Sequence, residues 1–328
     1  MKRTLALLIV FCLCICLCGC ESSLQRPTEE FGIVTTVFPA YDFARNIAGN
    51  RLPVYLLVPP GAESHSFEPA AQDIMLLENW FLVCNGGESE VWLEEFTEGE
   101  SMKVQPLYMM DCVETVTEEL KEGMQQLPHS HSEDEHCEHE EHEHEEHDHG
   151  DEMEFDEHVW TSPANAVLIC REICRRLCEL DSENSDYYMA NTDTYCEKLL
   201  ELDSRFRQLT ENSSCRTLIF ADRFPVRYFV EEYELDYFAA FPGCSDQAEP
   251  SARTVAFLID KVREDSIPAV FHIEFSNEKM ADIICEDTGC KKLLFHSCHN
   301  VSAEDFKSGI SYLELMEQNY ESLKEALA

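Results

Sequence analysis

Eight short apolar runs, rich in β-branched and aromatic residues, punctuate this chain, and helical stretches separate them. They lie near 33–37, 54–58, 81–84 and 104–108 in the first half, and near 217–221, 237–240, 269–273 and 292–295 in the second. A two-residue turn can join antiparallel strands, whereas parallel neighbours need a crossover of a dozen or more residues, usually a helix. The spacing therefore predicts an α/β fold of two lobes, each a roughly four-stranded parallel sheet flanked by helices. A length of 328 residues suits two lobes at roughly 100–200 residues apiece. No residue-level repeat relates the halves.

Two helices are expected between them. The first opens at Thr161-Ser162-Pro163, with Ser162 placed to cap it and Pro163 at its first position. The second covers 184–211 and carries an apolar stripe (Tyr188, Tyr195, Leu199, Leu202, Phe206, Leu209) stepping mostly by three and four. At about 1.5 Å per residue it reaches some 40 Å, enough to join both lobes as a strut. The chain is thus divided into a first lobe at 31–183, a connecting helix at 184–211 and a second lobe at 212–328.

The charge is lopsided, with 65 acidic against 24 basic residues and a net −41. That excludes nucleic acid as a partner, since its phosphates demand a basic footprint, and favours cations. Residues 129–157 concentrate the acid, with 15 Asp/Glu, 8 of the 13 histidines and no Lys or Arg. Within it, 129–154 is low in complexity and has no apolar area to bury, so it reads as a disordered loop inserted in the first lobe. Its histidines (His129, His131, His136, His139, His142, His144, His147 and His149) and carboxylates suit zinc, nickel or copper(II). The loop is expected to bind metal as an auxiliary to a site elsewhere.

Residues 1–20 read as a secretion signal: Lys2 and Arg3, then an apolar run shorter than a membrane span of about 20 residues. The run ends in Leu17-Cys18-Gly19-Cys20, which resembles a bacterial lipobox. On that reading Cys20 is acylated and tethers the protein to the outer face of the cell membrane, with 21–30 as the tether. Removing the five cysteines of 1–20 from 17 leaves 12. Exported proteins usually pair their cysteines, but the connectivity is not readable here. Cys170, Cys174 and Cys178 fall on one helix face as a buried stripe, and without a Cys-x-x-Cys pair a thiolate zinc site is unsupported.

The remaining histidines cluster at strand ends. His65 follows the run ending near Val58, and His158 precedes the capped helix. His272 and Glu274 close the run at 269–273, His296 closes 292–295, and His299 follows in a turn. Asp222 stands at the end of 217–221. Ligands of open α/β sheets bind beyond the carboxyl ends of the strands, so these donors are expected to converge on an interlobe cleft. Neither a His-Glu-x-x-His run nor a Gly-x-Ser-x-Gly elbow is present, which removes the usual signatures of an exported zinc hydrolase.

Several motifs in order resemble a family, the metal-binding solute receptors of bacterial zinc and manganese ABC importers, called TroA-like or ZnuA-like. They are Val34-Thr35-Thr36-Val37-Phe38-Pro39 with Tyr41-Asp42-Phe43; His65 with Glu68-Pro69; and Asn85-Gly86-Gly87 with Trp92-Leu93. Asp156-x-His158-x-Trp160-x-x-Pro163 follows, then Tyr312-Leu313, Met316, Asn319 and Leu323. The resemblance implies a receptor rather than an enzyme, delivering metal outside the cytoplasm to an importer permease, with His65 and His158 as first-lobe ligands. It also implies release by lobe or loop movement rather than by a large hinge. The family's third-ligand position falls on Ala221, which cannot bind metal, and its fourth falls near 295–299. The second lobe is therefore expected to complete the site with His296 first, then Glu274 and Asp222, and with His272 and His299 as further donors. A mostly imidazole shell favours Zn2+ over Mn2+. The competing readings are a manganese or other divalent-metal receptor of the same class, and a surface zinc buffer or adhesin lipoprotein.

Overall fold

The structure is a computed structural model and describes residues 31–62, 67, 69–97, 102–125, 155–243 and 250–328. The expected signal peptide, tether and Cys20, together with His65 and the histidine-rich loop, lie outside the described residues.

Two four-stranded parallel sheets are present. The first comprises β1 (Ile33–Thr35), β2 (Val54–Leu56), β3 (Phe81–Cys84) and β4 (Leu107–Tyr108) in the order β2-β1-β3-β4. The second comprises β5 (Thr217–Phe224), β6 (Asp236–Pro242), β7 (Ala269–His272) and β8 (Lys291–Leu294) in the order β6-β5-β7-β8. Both orders follow one pattern, in which the second strand of the chain flanks the first and the third and fourth extend the other side. Each sheet thus reverses direction beside its first strand, where open α/β sheets place their ligands. The residues of β1 and β3 are all buried, as expected of strands covered on both faces.

The helices that frame the site are α1 (Phe38–Ala48), α2 (Ala71–Asn79), α3 (Pro163–Leu180), α4 (Ser185–Glu211), α5 (Arg227–Glu232), α6 (Ala252–Glu264), α7 (Lys279–Thr288), α8 (Ala303–Ser308) and α9 (Tyr312–Ala326). The Asn165 N–H donates to Ser162 Oγ at 3.3 Å, and Pro163 opens α3, as the sequence predicts. α4 is 27 residues long, and its stripe is buried except for the half-buried Leu209. It packs on α1, α3 and α9. Cys170 and Cys174 are buried beneath α3, with Cys178 partly so.

One hydrophobic cluster runs from Ile33, Phe43 and Phe81 through Tyr188, Leu199 and Phe206 to Phe220, Phe271 and Phe295. The two sheets therefore share a core, and a second cluster (Ile219, Leu258, Val270, Met280, Ile284) fills the outer layer of the second sheet. Asp42, fully buried, knots three helices together. It accepts hydrogen bonds from Tyr195 Oη of α4 at 2.8 Å, the Tyr312 N–H of α9 at 3.1 Å and Arg45 Nε at 2.7 Å. Burial raises its pKa against the opposing pull of Arg45. Cutting any of these bonds would leave a buried charge short of partners, so the halves resist moving apart here. Among the described residues no helix is long and apolar enough to cross a membrane.

Candidate metal centre

His158 sits between an antiparallel bridge (Thr117 with Phe155) and a turn of 3-10 helix (Val159–Thr161) leading into α3. It is 4 % exposed. Asp156 Oδ1 accepts the His158 N–H at 2.8 Å and lies 3.2 Å from Nδ1. An ionised carboxylate can only accept, so this arrangement favours the tautomer with the proton on Nδ1 and leaves Nε2 as the donor to a metal, as in carboxylate–histidine–metal triads. Burial opposes charging of the ring, but the carboxylates of Asp156, Glu157 and Glu118 together outweigh it and the pKa is raised. Asp156 is 1 % exposed, and among the described residues its Oδ2 has no hydrogen-bond partner. Gly243 makes room: a Cβ there would lie 2.9 Å from Phe224 O and 3.4 Å from His158 Cε1.

The bed beneath His158 explains residues that the sequence offered only as a pattern. Asn85 Nδ2 donates to Glu157 O at 2.8 Å, and Glu157 accepts from Ser89 through its N–H at 2.9 Å and its hydroxyl. Gly87 holds φ +90°, and a Cβ on it would strike Glu157 Oε1 at 2.6 Å. Gly86 N–H donates to Glu90 Oε2 at 2.8 Å, and burial raises the pKa of Glu90 to about 7.

Facing His158 from the second sheet is His299, with ring centroids 5.7 Å apart and Trp160 packed on both, 5.5 Å from His158 and 5.3 Å from His299. Trp160 Nε1 donates to Ser297 O at 2.8 Å, and the Phe38 N–H at the start of α1 donates to His299 O at 3.1 Å, so both halves hold this loop. Glu274 accepts from the Ser297 N–H at 2.7 Å and from its hydroxyl. Two non-glycine residues beside the donors take left-handed backbone, Phe275 at φ 60° and Cys298 at φ 63°, a strain typical of functional loops.

The pair of rings lines a cavity of about 50 Å³ with Ala62, Arg223, Gly243, Glu274, Ser297 and Asn300 among its walls. Organic-solute pockets run to roughly 300–1,000 Å³, so this space is on the scale of a single ion. Asn300 Nδ2 clasps Pro59 O at 3.1 Å and Ala62 O at 2.9 Å, which fixes the segment leading to His65 against the His299 loop. Among the described residues no group of three or more His, Cys, Asp or Glu is arranged to hold an ion.

The remaining sequence candidates stand elsewhere. His296, expected to lead the second-lobe ligands, is 7 % exposed and absent from the cavity wall. Its Nδ1 accepts the Cys298 N–H at 2.9 Å, and its backbone is clamped on both sides by Asn319 at 2.7 and 2.8 Å. The same Nδ1 lies 3.5 Å from Glu274 Oε1. After a register shift in β5 beyond Phe220, Arg223 lies on both the ion-sized cavity and a larger one of about 580 Å³, whereas Ala221 and Asp222 line only the larger. Asp222 accepts from the Arg223 N–H at 2.8 Å and the Ile273 N–H at 3.3 Å, stitching β5 to β7. His272 is within 3.2 Å of Ile273 O through Nδ1 and lines neither cavity. Of the second-lobe candidates, His299 and Glu274 are the ones brought to His158.

A family model described as "ZnuA: Zinc-uptake complex component A periplasmic" matches residues 33–326. The "High-affinity zinc uptake system protein ZnuA" of Bacillus subtilis is 29% identical over 305 residues, covering 91% of this chain and 88% of that protein. The "Zinc-binding lipoprotein AdcA" of Streptococcus pneumoniae is 26% identical over 328 residues, and this chain spans 61% of its length. Among solved structures, the Zn(II)-bound ZnuA-like domain of Streptococcus pneumoniae AdcA aligns with a TM-score of 0.71 at 24% identity, covering 91% of this chain and 99% of that one. The laminin-binding protein Lmb of Streptococcus agalactiae aligns with a TM-score of 0.71 at 20% identity, covering 92% and 100%. Both likenesses establish the fold.

Proposed function

The chain belongs to the ZnuA family of zinc-uptake components, and from that membership we propose that it captures zinc outside the cytoplasm and hands it to the permease of an ABC importer. Zinc is the cargo and leaves chemically unchanged, so the protein is a receptor and not an enzyme. The proposed ligands are His65, His158 and His299, with Glu274 near enough to lend an oxygen. The observation that carries this reading is the approach of His158, before α3, and His299, in the loop after β8, at an ion-sized cavity beside the segment that leads to His65. An imidazole-dominated set suits four-coordinate zinc better than manganese, which prefers more oxygen. The shared core and the Asp42 knot support release by loop movement on docking rather than by a hinge. The finer localisation proposed is a lipid at Cys20 on the outer membrane face; radiolabelled fatty acid should enter the full chain and be absent from Cys20→Ala.

The test is metal content by mass spectrometry on chain lacking residues 129–149. One retained zinc, lost in His158→Ala and in His299→Ala, is expected. Retention in His299→Ala, with loss in His296→Ala, would overturn the ligand set.

A further inference from the structure

Two cysteines with no role in the cleft meet in the outer layer of the second sheet. Helix α7 ends at Gly289, which is left-handed at φ 76°, ψ 8°, and its N–H returns to Cys285 O at 2.8 Å. The reversal carries Cys290 back beside the last helical turn, and the two Sγ atoms stand 3.6 Å apart. Thr288 pins the turn from both sides, donating from its hydroxyl to Ile284 O at 2.7 Å and accepting the Cys290 N–H at 3.3 Å. Among the described residues nothing lies within 4 Å of where a Gly289 Cβ would be, so its backbone conformation, not crowding, calls for glycine.

We propose that Cys285 and Cys290 form a disulfide in the exported protein, stapling the end of α7 to the start of β8. A bridge needs its sulfurs about 2.05 Å apart and its Cβ atoms about 3.5–4.5 Å apart, within reach of sulfurs already in contact across a reversal. Among the described residues Cys170 and Cys196 also touch, but both are buried. Cys174 and Cys178 also approach, at 4.0 Å, but they are one turn apart on α3, where Cβ atoms stand about 5–6 Å from each other. Cys298 is fully buried, whereas Cys285 and Cys290 are both partly exposed and open to an oxidant. Burial pushes the Cys285 thiol up to about 12, so thiolate is scarce at neutral pH and closure is slow without a catalyst.

The oxidant is the disulfide of an extracytoplasmic dithiol–disulfide oxidoreductase. One cysteine thiolate attacks it, forming a mixed disulfide and expelling one oxidoreductase thiolate. The second cysteine then attacks the first, forming the Cys285–Cys290 bond and expelling the other. Two thiols are oxidised, one disulfide is reduced to a dithiol, and the two protons pass to it. The proposed location outside the cytoplasm enters only as the source of this oxidant.

Residues 280–291 form one tryptic peptide containing both cysteines and no internal Lys or Arg. Full chain is produced with its own N-terminus in a bacterial host and blocked with iodoacetamide without reductant. A second sample, made in the host cytoplasm and reduced, is incubated in an oxidised-glutathione buffer. The expected peptide is unalkylated in both, lighter than the dithiol by two hydrogens. Alkylation of both cysteines in both samples overturns the proposal. Closure in the glutathione buffer alone overturns the extracytoplasmic reading and leaves the pairing standing. Reduction should lower Tm by about 4 °C, and the Cys285→Ser/Cys290→Ser double variant should lose that sensitivity; an undiminished response in the variant counts against the staple.

Discussion

Asp156→Asn isolates the charge behind His158 from its shape. Asparagine keeps an oxygen for the His158 N–H, now accepted by Asp156 Oδ1 at 2.8 Å, but removes the negative charge 3.2 Å from Nδ1. Zinc bound to the far ring nitrogen at about 2.0–2.1 Å would stand about 7 Å from that carboxylate. Charges of −1 and +2 at that distance attract by about 5 kcal/mol at an effective dielectric of 20, and by about 1 kcal/mol at 80. The usual loss on removing such a partner, 10–100-fold or about 1.4–2.7 kcal/mol, falls inside those limits. Zinc Kd should therefore rise 10–100-fold, read by competition against a chelating dye on chain lacking 129–149. A Kd within twofold of the parent, with the fold intact, would refute the argument that this carboxylate tunes the ligand.

Four further outcomes are expected. Glu90, raised to about 7 by burial, stabilises the fold in its neutral form; that stability is complete below its unfolded pKa of 4.5 and is lost as pH rises through 7. Glu90→Gln should therefore gain stability relative to the parent between pH 5 and 8, by up to about 3 kcal/mol, with parallel melting curves at both pH values as the contrary result. Zinc should change tryptophan fluorescence through Trp160, which packs on both facing imidazoles, and Trp160→Phe should abolish the change; a response carried by Trp80 or Trp92 would argue for another site. Arg223 places a cation on the wall of the cavity, so Arg223→Ala should tighten zinc binding severalfold by calorimetry, and weaker binding would assign it a supporting role. Deleting 129–149 should slow capture when zinc is scarce and leave cleft affinity nearly unchanged; an equal loss of affinity would make the loop part of the site.

Much of this molecule is legible in one dimension. All eight strands and the long helix fall where the sequence pattern puts them; in β1 and β3 burial on both faces demands runs of apolar residues, and in the helix one buried face demands steps of three and four. Ser162 and Pro163 announce their helix because capping is a local matter of one hydroxyl and one ring. His158 is singled out in the sequence by its place just before the capped helix and by the Asp156-x-His158-x-Trp160 motif; the structure adds that Asp156, two residues away, lies 3.2 Å from its ring.

The choice among the second-lobe donors belongs to the tertiary structure. His296 and His299 are three residues apart in a segment with no regular repeat, so chain position carries no information about direction. Asn319 from α9 and the Cys298 amide turn His296 into the body, while left-handed Cys298 and the Ser297–Glu274 contact bring His299 to the cleft. A register shift likewise exchanges Asp222 for Arg223 at the wall. Composition and periodicity determined which donors stand near strand ends. Which of them share a cavity depended on partners more than twenty residues distant, whose hydrogen bonds exist only once the two sheets have packed on one core.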